Sequence, residues 1–194
     1  APVAFHVMAK PSGAICNLDC SYCFFLSKEL LYPGDRFRMA DDLLENYIRQ
    51  TIESQPGQDV VLAFQGGEPT LMGIGFFERA IEHARAHQRP DQTISLTIQT
   101  NGVLIDDRWA DFLAKHHFLV GISIDGPRAM HDIHRVDKAG RPTFDRVIAG
   151  FETLQRHQVE TNVLCTVNSA NAEHPLEVYR FFRDDLQTDF IQFI

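Results

Sequence analysis

Short runs of β-branched and aromatic residues alternate with helical stripes along this 194-residue chain, and that alternation restricts the fold more than any other feature. The runs cover residues 3–8, 60–65, 94–99, 119–124, 161–167 and 190–194, and most end in Gly, Asn or Pro. Between them, the carboxylates Asp41 and Asp42 suit a helix N-terminus and precede an apolar stripe of Leu43, Leu44, Tyr47, Ile48, Thr51 and Ile52. Ile74, Phe77, Ile81 and Ala84 form a second stripe, and Asp106 is placed to cap a third helix that buries Phe112 and Leu113. Thr143 is expected to cap a fourth carrying Val147, Ile148, Phe151 and Leu154, and Pro175 to open a fifth with Val178, Phe181 and Phe182. Alternation at this spacing predicts an α/β fold of parallel strands with crossover helices, either a barrel or a doubly wound sheet. Six strand signals are fewer than the eight of a closed barrel.

The first strand is followed by Cys16, Cys20 and Cys23, spaced C-x3-C-x2-C. A 4Fe–4S cubane has four irons to ligate, usually by thiolate. A run offering three thiolates leaves one iron open to an exchangeable ligand. Structural zinc is closed by four ligands, commonly from paired knuckles, and the chain has no second C-x2-C. The fourth cysteine, Cys165, sits in the apolar run Val163-Leu164-Cys165-Thr166-Val167 and reads as a small buried hydrophobe. A zinc site completed by His, or an iron–sulfur module without catalysis, is the alternative from a different class.

Charge narrows the partners. The chain carries 18 Lys and Arg against 26 Asp and Glu, net −8, with no basic run, which argues against nucleic acid and anionic membranes. The apolar opening, residues 1–9, is interrupted by His6, too short to span a bilayer, and lacks a basic leader. The cytoplasm is the expected compartment, where clustered cysteines imply metal or redox chemistry in place of disulfides.

Other polar motifs follow the strand signals, where βα-loops build active sites. Gln65-Gly66-Gly67-Glu68-Pro69 offers two residues without Cβ for close approach, though a plain turn reads as well. Gln99-Thr100-Asn101-Gly102 is a polar landing or a turn. In Ser123-Ile124-Asp125-Gly126-Pro127, Ser123 can meet a ligand hydroxyl, while Asp125-Gly126-Pro127 is turn chemistry. His131-Asp132-Ile133-His134 reads as a surface hydrogen-bonding segment, and His116-His117 as a solvated or capping pair. The Arg135 guanidinium matches a carboxylate in bidentate geometry, or forms a surface salt bridge.

Together these stretches resemble the radical S-adenosylmethionine (SAM) superfamily, and within it the anaerobic sulfatase-maturating enzymes. The resemblance is carried by Cys16-x3-Cys20-x2-Cys23 with Phe24-Phe25-Leu26, by Gln65-Gly66-Gly67-Glu68-Pro69-Thr70-Leu71, by Gln99-Thr100-Asn101-Gly102, by Gly121-Ile122-Ser123-Ile124-Asp125-Gly126-Pro127, by His131-Asp132 with Arg135, and by Ile191-Gln192-Phe193-Ile194. Phe64 stands where the family more often has Trp. The resemblance implies a partial (β/α)6 TIM-like barrel, with residues 1–194 as a radical SAM core that would continue into a cysteine-rich SPASM domain. It implies a 4Fe–4S cluster on Cys16, Cys20 and Cys23, and SAM on its open iron. Tyr22 would lie at the adenine, and Gly66, Gly67 and Glu68 would take the methionine ammonium. Ser123 would meet the ribose, Arg135 the carboxylate, and Gln65 the substrate. The implied reaction is reductive SAM cleavage and hydrogen abstraction from Cβ of a Cys or Ser in a sulfatase sequence Cys/Ser-x-Pro/Ala-x-Arg, giving formylglycine. A flavodoxin- or ferredoxin-like protein would supply electrons, and the family's catalytic Asp would lie beyond Ile194. Another peptide-modifying enzyme of the SPASM group is the nearest alternative.

Overall fold

The computed structural model describes residues 4–25 and 28–194; Val3 and Leu26, which the sequence reading used, lie outside them. Six strands, β1 (Met8–Ala9), β2 (Asp59–Phe64), β3 (Thr93–Thr100), β4 (Phe118–Ser123), β5 (Thr161–Cys165) and β6 (Ile191–Phe193), form one parallel sheet in sequential order. Helices make the crossovers: α1 (Asp41–Ser54), α2 (Ile74–His87), α3 (Asp107–Lys115), then α4 (Arg128–His134) with α5 (Phe144–Arg156), and α6 (Pro175–Arg180), which a π-helical turn extends over Phe181–Asp185. Met8, Ala63, Thr97, Gly121, Asn162 and Gln192, one from each strand, line a single interior cavity of about 210 Å³. The sheet therefore curls into a partial barrel, open between β1 and β6, which decides between the barrel and the doubly wound sheet that the strand and helix signals left open.

Packing of the helices on the outer face follows the apolar pattern. In β2, Val60, Leu62 and Phe64 are buried outward while Val61 and Ala63 are half-buried, the near-continuous apolar run of a parallel strand covered on both faces. Phe64, Phe77 and Phe118 meet edge to face across β2, α2 and β4, with centroids 5.3 and 6.1 Å apart. Asp106 caps α3, its carboxylate accepting from the Trp109 amide at 2.9 Å. Pro175 opens α6.

Three expectations are corrected. The first strand pairs only at Met8 and Ala9; before it, side chains of α1 and its C-cap take up the backbone carbonyls, the Tyr47 hydroxyl donating to that of Val7 and the Gln55 carboxamide to that of Phe5. Leu43 is exposed, and Leu44, Ile48 and Ile52 carry the buried stripe of α1. Thr143 does not cap α5, since its hydroxyl is donated to the Arg135 carbonyl at 2.7 Å; Asp132 accepts from the Thr143 and Phe144 amides instead.

Candidate cofactor site

The cysteine loop lies across the C-terminal ends of β2, β3 and β4. Two amides of the Gly-Gly turn hold it, Gly67 donating to the Gly13 carbonyl and Glu68 to that of Ile15, each at 2.8 Å. A Cβ on Gly67 would fall 2.0 Å from the Ile15 carbonyl oxygen, so the two backbones touch and only glycine fits. On the β3 side, the Asn101 carboxamide donates to Asn17 Oδ1 at 2.7 Å and reaches Cys16 Sγ at 3.6 Å. Beyond, Asp19 and Ser21 donate to the carbonyls of Val136 and His134, tying the loop to the end of α4. Each contact is made by backbone or short polar groups, which fixes the thiols without bulky side chains.

Cys16, Cys20 and Cys23 open onto one cavity of about 320 Å³ that Tyr22, Gln65, Gly66, Gly67, Asn101, Ser123 and Arg135 also line. Burial pushes the Cys16 thiol up to about 12 and raises Cys20, so iron binding must displace protons there. Among the described residues no three His, Cys, Asp or Glu side chains converge on a single-ion site. Three thiols lining one cavity fit a 4Fe–4S cluster, in which each thiolate would hold its own iron. All four cysteines are free, and Cys165 is buried at the end of β5, hydrogen-bonded by Asn171.

Most residues singled out in the sequence therefore meet at this cavity, but not all in the manner expected. The Glu68 carboxylate does not open on it. It is wholly buried beneath, accepting from the Thr70 amide and hydroxyl, the Thr100 hydroxyl and the Asn101 amide at 2.6–3.0 Å. Burial pushes its carboxyl up, against those four donors. Its visible work is to bind the ends of β2 and β3 together. Gln65 lines both this cavity and the barrel interior, at their junction.

Arg135 is buried, and its Nε and Nη2 grip Asp125 at 2.9 and 3.2 Å. Burial pulls the guanidinium down, but Asp125, together with Tyr22 and Cys20, more than offsets it and holds Arg135 charged. Asp125 was legible only as turn chemistry; nothing local in the sequence marks a partner ten residues away.

The segment after it is a surface hydrogen-bonding one only in part: Ile133 is exposed, and Asp132 and His134 are half-buried and hydrogen-bonded, but its first residue is not at the surface. His131 is fully buried, its Nδ1 facing the Asp125 amide at 3.3 Å and its Nε2 the Thr143 hydroxyl at 3.2 Å. Burial, then the Arg135 charge, pull its pKa down to about 3. The unfolded chain takes up a proton near pH 6.5 that the folded chain refuses, so stability is complete above about pH 6.5 and is lost as pH falls toward 3. By pH 5 the expected loss is about 2 kcal/mol. Urea unfolding at pH 7 and 5 should show a shallower pH dependence in His131→Asn than in wild type, and equal slopes would refute it.

Residues 11–182 match the family model of the radical SAM superfamily. The chain belongs to that superfamily. Among curated radical SAM relatives it is 42% identical over 189 residues to the serine-type anaerobic sulfatase-maturating enzyme of Bacteroides thetaiotaomicron, covering 97% of this chain and 45% of that protein. It is 40% identical to the cysteine-type enzyme of Clostridium perfringens, covering 97% and 50%. The solved structure of anSMEcpe with bound AdoMet superposes with a TM-score of 0.88 at 41% identity, over 96% of this chain and 50% of that one. Streptococcus suis SuiB, at 20% identity and TM-score 0.70, shares the fold alone. The chain thus spans about half the length of the curated radical SAM enzymes it matches.

Proposed function

We propose that this chain is the cofactor-binding core of an anaerobic sulfatase-maturating enzyme, holding a 4Fe–4S cluster on Cys16, Cys20 and Cys23 and SAM beside it. The observation that carries the reading is the shared cavity, where three thiols face the glycine turn, Ser123 and Arg135. When bound, that pair supplies one-electron chemistry that ends in hydrogen abstraction from a substrate Cβ. The chain's own residues bind and orient. Arg135 offers a buried positive charge for a carboxylate, and the strand end at Gly66, Gly67 and Glu68 offers backbone for an ammonium. Ser123, only 7% exposed, offers a hydroxyl to a ribose, and Tyr22 an aromatic wall for adenine. Gln65, at the junction with the barrel interior, suits a substrate contact.

A structure of anSMEcpe holds AdoMet and a Cp18Cys peptide, and it matches this chain at 39% identity with a TM-score of 0.87. That likeness supports a sulfatase segment bearing Cys/Ser-x-Pro/Ala-x-Arg as the substrate, with Cys or Ser becoming formylglycine. The same reading asks for a flavodoxin- or ferredoxin-like donor, a SPASM-type domain, and the family's catalytic Asp beyond Ile194. Four free cysteines suit the reducing cytoplasm, and among the described residues no helix is long and apolar enough to cross a membrane. The test is anoxic reconstitution of the chain with iron and sulfide. The expected protein takes up about four irons, changes its EPR spectrum when SAM is added, and releases 5′-deoxyadenosine on reduction. Zinc uptake without charge-transfer absorbance, or an EPR spectrum indifferent to SAM, would remove the proposal.

A further inference from the structure

Asp125 is fully buried and does not line the cavity, yet both of its oxygens are engaged by residues that touch the cavity or flank it. Oδ2 accepts from the Tyr22 hydroxyl at 2.5 Å and from Arg135 Nε at 2.9 Å. Oδ1 accepts from Arg135 Nη2 at 3.2 Å and from the Thr166 amide, just past β5, at 3.0 Å. Its backbone is held as firmly, the amide facing His131 Nδ1 and the carbonyl accepting from Asn171. One carboxylate therefore joins the cysteine loop, through Tyr22 between Cys20 and Cys23, to the end of α4, through Arg135. The Arg135 guanidinium also lies over the Tyr22 ring, 5.6 Å from its centroid.

Because the guanidinium is planar, a bidentate grip on Nε and Nη2 fixes the whole plane and points the remaining edge in one direction. The pair is buried, so neither member can swing away without leaving the other's charge uncompensated in the interior, at a large cost. A ligand entering the cavity meets a pre-oriented cation and an aromatic ring whose relative placement is set from behind.

We infer that Asp125 is a positioning residue for the bound sulfonium cofactor: by holding Arg135 and Tyr22 together, it links cofactor affinity to the placement of the cysteine loop. This rests on the SAM-binding reading above. It assigns to Asp125 no contact with the ligand.

The test uses anoxically reconstituted wild type, Asp125→Asn, Arg135→Gln and the double variant, with SAM titrated against the EPR signal of the reduced cluster. Asp125→Asn should keep its iron and sulfide content while binding SAM roughly tenfold more weakly. In the Arg135→Gln background the same change should cost clearly less than it does alone, because one of the two groups Asp125 acts through is gone. Asp125→Asn binding within about twofold of wild type, or losses that multiply in the double variant, would overturn the inference. Should Asp125→Asn fail to fold, Asp125→Glu and Tyr22→Phe carry the test. Asp125→Glu keeps the charge on a longer arm and should alter the SAM-bound EPR spectrum, whereas Tyr22→Phe should weaken SAM binding with the cluster intact. Wild-type behaviour in either, or loss of fold in both Asp125 variants with Tyr22→Phe unchanged, would reduce Asp125 to a structural residue. A wild-type protein that loads no cluster, or loads one and ignores SAM, would instead defeat the reading on which the inference rests.

Discussion

Gly67→Ala is expected to keep the barrel and lose the cluster. The added Cβ would lie 2.0 Å from the Ile15 carbonyl oxygen, 2.5 Å from its carbon and 2.8 Å from the Ala14 carbonyl carbon. None of these is the far end of a flexible side chain, so relief requires one backbone to move off the other. The Gly67 and Glu68 amides then lose the Gly13 and Ile15 carbonyls, at about 1 kcal/mol each, a modest cost for the barrel. The consequence for chemistry is larger, since Cys16 follows Ile15 directly and a displacement near 1 Å is enough to spoil ligand geometry. Iron bound per chain should fall at least about tenfold, while far-ultraviolet circular dichroism stays near wild type. Gly57→Ala is the control, because a Cβ there meets nothing within 4 Å. Full cluster loading in Gly67→Ala would show that the close approach is dispensable.

Arg135→Ala should damage the fold as well as the site. On sequence alone this change reads as a clean probe of ligand binding. The structure shows that it would strip the charge partner from a carboxylate with no solvent exposure, leaving Asp125 only the Tyr22 hydroxyl and the Thr166 amide. Removing one member of a buried pair costs about 3–5 kcal/mol, a large share of the 5–15 kcal/mol by which domains are stable. For a chain of this size the melting temperature should drop by about 10 °C. Arg135→Ala combined with Asp125→Leu should recover much of it, because the apolar replacement leaves no buried charge. Scanning calorimetry of the two proteins decides the matter: a single variant that melts within about 2 °C of wild type would mean that water reaches Asp125 after all.

These two results sit on opposite sides of what a linear chain reveals. The strand and helix signals predicted six βα units because hydrophobic periodicity is local and sets which face of each element is buried. The cysteine spacing needed no fold at all; Gln65, Gly66, Gly67 and Ser123 could be named because strand ends are visible as places where apolar runs stop, and Arg135 because a guanidinium matches a carboxylate, and all five line the cavity of the three thiols. The pressure of Gly67 on the cysteine loop was not legible, since its crowding comes from Ile15, distant in the chain. The strand end at Glu68 was expected to meet the ligand through its backbone; that its carboxylate turns away, into donors supplied by Thr70, Thr100 and Asn101, no local pattern showed. His131 looked like surface because polar residues surround it in sequence, while in space it is covered by Phe144, Thr143 and the Asp125 turn.

What the sequence determined by itself was the order of strands and helices, the three thiols and the polar residues at strand ends, because each is a property of neighbours along the chain. Only the tertiary structure decided what those residues face. The Asp125 hub, the neutral buried His131 and the glycine pressed on the cysteine loop depend on segments that meet through sheet order and register, and no local pattern records which groups that packing will desolvate together.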